Sequence, residues 1–76
     1  MRNHPNVKKI MKESDEWTII GKEGGKPIYG HILGYEIKYN CNNWYWQVYF
    51  DGQKMDFKST ALYDCYYEII SLVADR

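Results

Sequence analysis

The chain carries no excess of charge of either sign: ten Lys and Arg residues balance ten Asp and Glu, and the isoelectric point is near 6.7. Affinity for nucleic acid comes largely from neutralised phosphate, and affinity for anionic membranes from basic clusters. Overall charge therefore favours neither partner. Cysteine is equally scarce. Cys41 and Cys65 are too few for the disulfide framework that staples small secreted domains, and both are expected as free thiols. No run approaches the ~20 apolar residues of a membrane span. No apolar signal core follows Met1-Arg2-Asn3-His4-Pro5, so a cytoplasmic protein is expected.

Motifs that carry chemistry are missing too. There is no nucleophile elbow, no phosphate loop, and no Cys or His pair at zinc-ligand spacing. The stretch Gly21-Lys22-Glu23-Gly24-Gly25 is glycine-rich but lacks the Lys-Ser/Thr and following helix of a P-loop, so it reads as a turn. Of the two histidines, His4 reads as a solvated residue at a helix start. His31 reads as a surface or partly buried strand residue. Nothing in their spacing supports Cys41 and His31 as nucleophile and base. Asp15 with Glu16, and Asp64 with Glu68, read as solvated charges. The expectation is a non-catalytic protein without cofactor or metal.

What the chain does have is aromatic mass: eight Tyr, three Trp and two Phe in 76 residues. A domain this short buries only about 60% of its unfolded surface, and aromatic side chains give each core position a large area. One domain is expected, with no internal repeat.

Hydrophobic spacing divides that domain. His4 to Ser14 reads as a short helix with Pro5 in its first turn and Val7, Ile10 and Met11 on one face. Glu16 to Ile20 reads as a strand, Gly21 to Pro27 as a loop, and Ile28 to Leu33 as a second strand. Gly30 and Gly34 mark a bend, a bulge or a close backbone approach there.

Tyr35 to Lys58 predicts a three-stranded meander. Tyr35, Ile37 and Tyr39 alternate with Glu36 and Lys38. After the turn Asn40-Cys41-Asn42-Asn43, Trp44, Trp46, Val48 and Phe50 alternate with Tyr45, Gln47 and Tyr49. Asp51-Gly52 is a strong hairpin signal because its turn needs positive φ twice. That turn pairs Phe50 with Gln53, Val48 with Met55 and Trp46 with Phe57. The Asn40–Asn43 turn pairs Tyr39 with Trp44, Ile37 with Trp46 and Tyr35 with Val48. Both turns place Tyr35, Ile37, Tyr39, Trp44, Trp46, Val48, Met55 and Phe57 on one face.

The tail supplies a cover. Ser59 or Thr60 caps a helix running to about Ala74, with Leu62, Cys65, Tyr66, Ile69, Leu72 and Val73 as its apolar stripe. The fold class expected is thus α+β: an antiparallel sheet of three to five strands, with meander core Tyr35–Lys58, packed on a C-terminal helix and preceded by a short N-terminal helix.

Two surfaces follow as candidate partner-binding sites. The first is the sheet's other face, where the expected register sets Lys38 and Lys58 opposite Tyr45, Glu36 and Asp56 opposite Gln47, and Lys54 opposite Tyr49. It reads either as an ordinary solvent face with lysines over rings or as a contact surface, since tyrosine is enriched at interfaces. The second is the outer side of the last helix. Tyr63 and Tyr67, four residues apart, form a stabilising pair or an anchor for a partner.

The run Trp44 to Lys54, then Met55 to Ser59 and a helix, resembles the three-strand-plus-helix layout of integrase arm-binding domains and of plant DNA-binding domains of the same layout. That resemblance implies a sheet in the major groove and contacts from Lys38, Tyr45, Lys54 and Lys58. Glu36 and Asp56 share the same face, so nucleic acid is a partner that charge does not favour. In length, in its Tyr, Asn, Lys and Ile content and in its lack of a catalytic motif, the chain also resembles small early proteins of tailed bacteriophages. That resemblance implies a protein partner in the host cytoplasm, such as an enzyme, a defence factor or a transcription factor, which the chain inhibits or modulates. A homodimer through an edge strand or exposed tyrosines is a further option.

Overall fold

The computed structural model describes residues 6–75. They form α1 (Val7–Glu13), β1 (Trp17–Glu23), β2 (Lys26–His31), β3 (Tyr35–Asn40), β4 (Tyr45–Phe50), β5 (Gln53–Ser59) and α2 (Leu62–Ala74). The strands make one antiparallel sheet in the order β1-β2-β3-β4-β5. The fold is α+β, with the sheet at five strands.

The first helix starts later than its sequence suggests. Asn6 is the N-cap, and its side chain accepts a hydrogen bond from the Lys9 N–H at 3.2 Å. His4 and Pro5, expected to open this helix, lie outside the described residues. Val7 and Met11 are buried, but Ile10 faces outward. A seven-residue helix turns only a narrow stripe inward, and position 10 falls outside it.

The first hairpin is tighter than the expected loop Gly21–Pro27. β1 continues to Glu23 and β2 begins at Lys26, leaving Gly24-Gly25 as the whole turn. Both glycines have positive φ, +59° and +79°, the backbone that a two-residue hairpin with right-handed twist requires. Ile32 and Leu33, read as strand, instead form the turn into β3 with Gly34 (φ +101°). One extra residue in β1 shifts its register between Ile19 and Gly21.

In the meander the expected faces hold and the expected registers move. β3 and β4 pair Tyr39 with Trp46, Ile37 with Val48 and Tyr35 with Phe50, so each expected partner is displaced by two. Side chains alternate with period two, and a shift of two keeps every face. Trp44 is the exception. It leaves the inner face, takes φ +61° at the end of the turn and is 74% exposed. The Asn40 side-chain oxygen accepts from the N–H groups of Asn42 and Asn43, and the Asn40 carbonyl accepts from Trp44 N–H at 2.7 Å. The turn thus closes one residue further on.

β4 and β5 start in the expected register, Phe50 with Gln53 and Tyr49 with Lys54. Gln47 then pairs with Lys58 and Trp46 with Ser59. One residue of β4 therefore faces three of β5. The expected pairs Val48–Met55 and Trp46–Phe57 are replaced by this bulge. Gln47 fills it. The residue is only 2% exposed. Its two Nε2 hydrogens are donated to the carbonyls of Phe57 (2.8 Å) and Met55, and the Val48 carbonyl lies 3.3 Å from the same nitrogen.

All the buried apolar residues share one core. Val7 and Met11 of α1 and Leu62, Cys65 and Ile69 of α2 pack with Trp17, Tyr29, Tyr35, Ile37, Trp46 and Val48 of the sheet; Met55 and Phe57 lean on it, partly buried. Both helices therefore lie on the same side of the sheet. The N-cap of the second helix is Ala61, which makes no side-chain cap. Ser59, expected as a cap, acts from two residues upstream. Its hydroxyl accepts from Ala61 N–H at 3.1 Å and donates to the Asp64 carboxylate at 2.6 Å. Cys65 donates its thiol hydrogen to the Trp46 carbonyl at 3.5 Å, and burial pushes that thiol up to about 12.

Candidate binding face

Because both helices cover the inner face, the outer face is left open among the described residues. Alternation sends Glu36 and Lys38 from β3, Tyr45, Gln47 and Tyr49 from β4, and Lys54, Asp56 and Lys58 from β5 toward it. The three β5 residues are exposed, and Glu36, Lys38, Tyr45 and Tyr49 are half-buried.

The residues meet in pairs set by the shifted register. Lys38 Nζ lies 4.8 Å from the centroid of the Tyr49 ring and 3.8 Å from Glu36 Oε1. Lys58 Nζ lies 4.9 Å from the Tyr45 ring centroid. Across strands, Lys38 faces Gln47, Gln47 faces Lys58, Glu36 faces Tyr49 and Tyr49 faces Lys54. Of the expected cross-strand contacts, Tyr49–Lys54 stands. Lys38–Tyr45, Glu36–Gln47 and Gln47–Asp56 do not, since β3 has slid by two and β5 bulges at Asp56; Tyr45–Lys58 is lost as a strand pair, Lys58 standing opposite Gln47, but the lysine still reaches the Tyr45 ring. The Tyr45 and Tyr49 rings nonetheless each carry an ammonium group over one face. Such pairs are worth about 0.5–1 kcal/mol at exposed sites and more where water is excluded.

Beside this aromatic–lysine strip runs an apolar cleft of about 260 Å³, lined by Thr18, Ile20, Gly30, Ile32, Gly34 and Glu36. Gly30 is its floor. A Cβ there would stand 3.1 Å from Ile20 Cγ2, so the close approach expected at this glycine is made by a side chain. Glu36 belongs to both cleft and strip and sits next to Tyr49. The sequence reading missed the cleft because it ended one strand at Ile20 and placed Ile32 inside another. The adjacent isoleucines at 19 and 20 were the available signal: two branched apolar residues in succession cannot both face the core of a strand.

The α2 tyrosines do not form one site. Tyr63 packs against the core, whereas Tyr67 is 49% exposed and rests its ring on Tyr66 at 5.4 Å. Tyr66 in turn lies 5.8 Å from Trp17.

His31 is in the core and not at the surface. Its ring packs edge-on to Trp17 at 4.9 Å, its Nδ1 accepts from Leu33 N–H at 3.1 Å, and its Nε2 is 3.9 Å from Glu16 Oε1. Burial holds its pKa below the usual histidine range, with Glu16 opposing. Cys41 is exposed at the opposite end of β2 from His31, against Gly24. The two are not brought together. Among the described residues no group of three or more His, Cys, Asp or Glu side chains is placed to hold a metal ion, and no helix is long and apolar enough to cross a membrane. No family model, curated protein or solved structure matches the chain.

Proposed function

We propose that this protein is a non-catalytic binding module whose outer sheet face contacts another protein, and that it acts by inhibiting or modulating that partner. The supporting observation is the composite face: Tyr45 and Tyr49 beneath lysine ammonium groups, continuous through Glu36 with the Ile20–Ile32 cleft. Tyrosines supply rigid contact area at small entropic cost, and an apolar cleft beside them accepts an anchoring side chain. Lys38, Lys54 and Lys58 share the face with Glu36 and Asp56, a mixed rim suited to a protein surface of mixed charge. In keeping with the resemblance to small bacteriophage early proteins, the partner we favour is a host enzyme, defence factor or transcription factor.

The same tyrosines and lysines also support a second reading, in which single-stranded or duplex nucleic acid lies on the sheet. One experiment separates the two. The tagged chain and its Tyr45→Ala/Tyr49→Ala variant are used to capture partners from host lysate, with and without nuclease. A stoichiometric protein that survives nuclease and is lost with the double variant supports the proposal. Recovery that requires intact nucleic acid and falls steeply with salt replaces it with the second reading. A protein partner retained equally by the variant, whose fold is checked by circular dichroism, removes this face from consideration.

A further inference from the structure

The two edges of the sheet are guarded unequally. Along β5, Lys54, Asp56 and Lys58 alternate and are all exposed, and the Gln47-filled bulge breaks the strand's line. Charges and bulges are the usual means by which a sheet edge refuses a further strand. The β1 edge carries isoleucine instead. Ile19 is 51% and Ile20 52% exposed. Ile19 shares the inner row of Tyr29 and Ile37, while Ile20 lies over Gly30 on the outer face. The edge is therefore apolar on both sides. Ile10, Ile32 and Leu33, also exposed, come from segments joined to β1: α1 packs on it, and the Ile32 N–H donates to the Glu16 carbonyl at 3.0 Å.

That last bond fixes which backbone groups are open. Antiparallel ladders alternate between bonded and non-bonded pairs. With the Glu16 carbonyl bonded to the Ile32 N–H, that carbonyl and both backbone groups of Thr18 turn toward β2, while the Glu16 N–H donates to Ser14 Oγ at 3.1 Å. The N–H and C=O groups of Trp17 and Ile19 turn away from it. The bulge at Ile20 lies beyond this stretch, so Trp17 to Ile19 remains in regular register with β2.

We propose that β1 pairs antiparallel with β1 of a second copy about a two-fold axis at Thr18, joining the two sheets edge to edge. In this register Trp17 of each copy lies opposite Ile19 of the other, and all the outward groups of both residues find partners. Thr18 meets its own equivalent, a favourable cross-strand pair. Past the bulge, Lys22 of each copy comes beside Asp15 and Glu16 of the other, so opposite charges meet twice. Glu23 already faces Lys26 within its own hairpin. The zero net charge of the chain adds no repulsion between copies. An isologous contact of this kind needs one self-complementary strand, and β1 with its flanks has that pattern. The inference shares Ile20 and Ile32 with the cleft of the outer face but not its tyrosines, which lie on β4, away from this edge, so the Tyr45/Tyr49 variant separates the two readings.

The test is sedimentation equilibrium of the whole chain from micromolar to millimolar concentration, with amide hydrogen exchange at both ends of the range. The expected result is a species of twice the 9.1 kDa chain mass, with Trp17 and Ile19 amides gaining protection as concentration rises. Ile19→Lys, at a half-exposed position, should weaken the dimer at least tenfold while keeping the circular dichroism of the wild type. Ile20→Lys is the second variant should the first fail to fold. Tyr45→Ala/Tyr49→Ala should leave the dimer intact. A monomer throughout, a dimer that both lysine variants leave unchanged, or a dimer dissolved only by the tyrosine substitutions overturns the proposal.

Discussion

Replacing Gln47 with alanine removes the one side chain that holds β5 to β4 where their backbones part. Its amide supplies donors to the Phe57 and Met55 carbonyls, which the ladder would otherwise satisfy, and lies close to the Val48 carbonyl. A carbonyl left unsatisfied costs about 1–3 kcal/mol when fully buried. The Met55 and Phe57 groups are part-buried, and water can reach them in part, so the low end applies to each. Adding the emptied volume gives a loss of about 2–3 kcal/mol. A domain of this length has a total stability of about 4–11 kcal/mol, so the variant forfeits a large share of it. Urea denaturation measures this directly. With a slope of about 1 kcal/mol per molar for so small a protein, the midpoint should fall by about 2–3 M. Gln47→Glu is the sharper probe. It keeps the shape but sets a carboxylate oxygen against carbonyl oxygens in a buried site, so it should be less stable than the alanine variant at neutral pH and recover as the pH falls through the carboxylate range. A midpoint for Gln47→Ala within 0.5 M of wild type, or a glutamate variant as stable as wild type, would refute the role given to this amide.

Three further outcomes are expected. The depressed pKa of His31 means the fold prefers the neutral ring. Above about pH 6.5 both states are neutral and stability is full; below it the unfolded chain takes up a proton that the folded chain resists, so stability is lost toward acid. The Tm should fall between pH 6.5 and 5, and the fall should be blunted in His31→Leu; equal slopes in the two proteins would count against it. The two thiols should differ: Cys41, exposed, reacts at once with a disulfide reagent, while Cys65, buried with its thiol pushed up to about 12, reacts only on unfolding, so two fast equivalents in the native state contradict the packing described. Finally, Trp44→Ser should change stability by less than about 0.5 kcal/mol whereas Trp46→Ala should cost about 3–5, as read by chemical denaturation; similar losses at both would return Trp44 to the core.

The sequence carried the faces of this sheet more firmly than its pairings. Tyr35, Ile37, Trp46 and Val48 point inward, and Lys38, Tyr45 and Tyr49 outward, in any register whose error is even, which is why a displacement by two left the candidate face intact. Asp51-Gly52 fixed its own end of the hairpin because the turn dictates Phe50 opposite Gln53. The other end escaped. Gln53 to Lys58 alternates without interruption, so no pattern marks the two additional residues; their place depends on one amide reaching across from Gln47. Trp44 extends the alternation of β4, but the turn geometry takes it first. Gly24-Gly25 was hidden among neighbouring glycines and a proline, any of which could have closed the hairpin. The cleft over Gly30 depends on the bulge at Ile20, and a bulge is a property of two strands together.

The strict neighbour-to-neighbour order of the strands bears on how the chain acquires this structure in time. Each pairing closes a short stretch of sequence, and short loops close in well under a microsecond while hairpins form in microseconds. A meander of this kind needs no long-range strand search, which keeps its strand pairings local in sequence. The packing of α2 across β3, β4 and β5 comes last in chain order. In a chain made from its N-terminus, the sheet emerges with only α1 against its Trp, Tyr and Ile face and waits for the last helix to cover the rest.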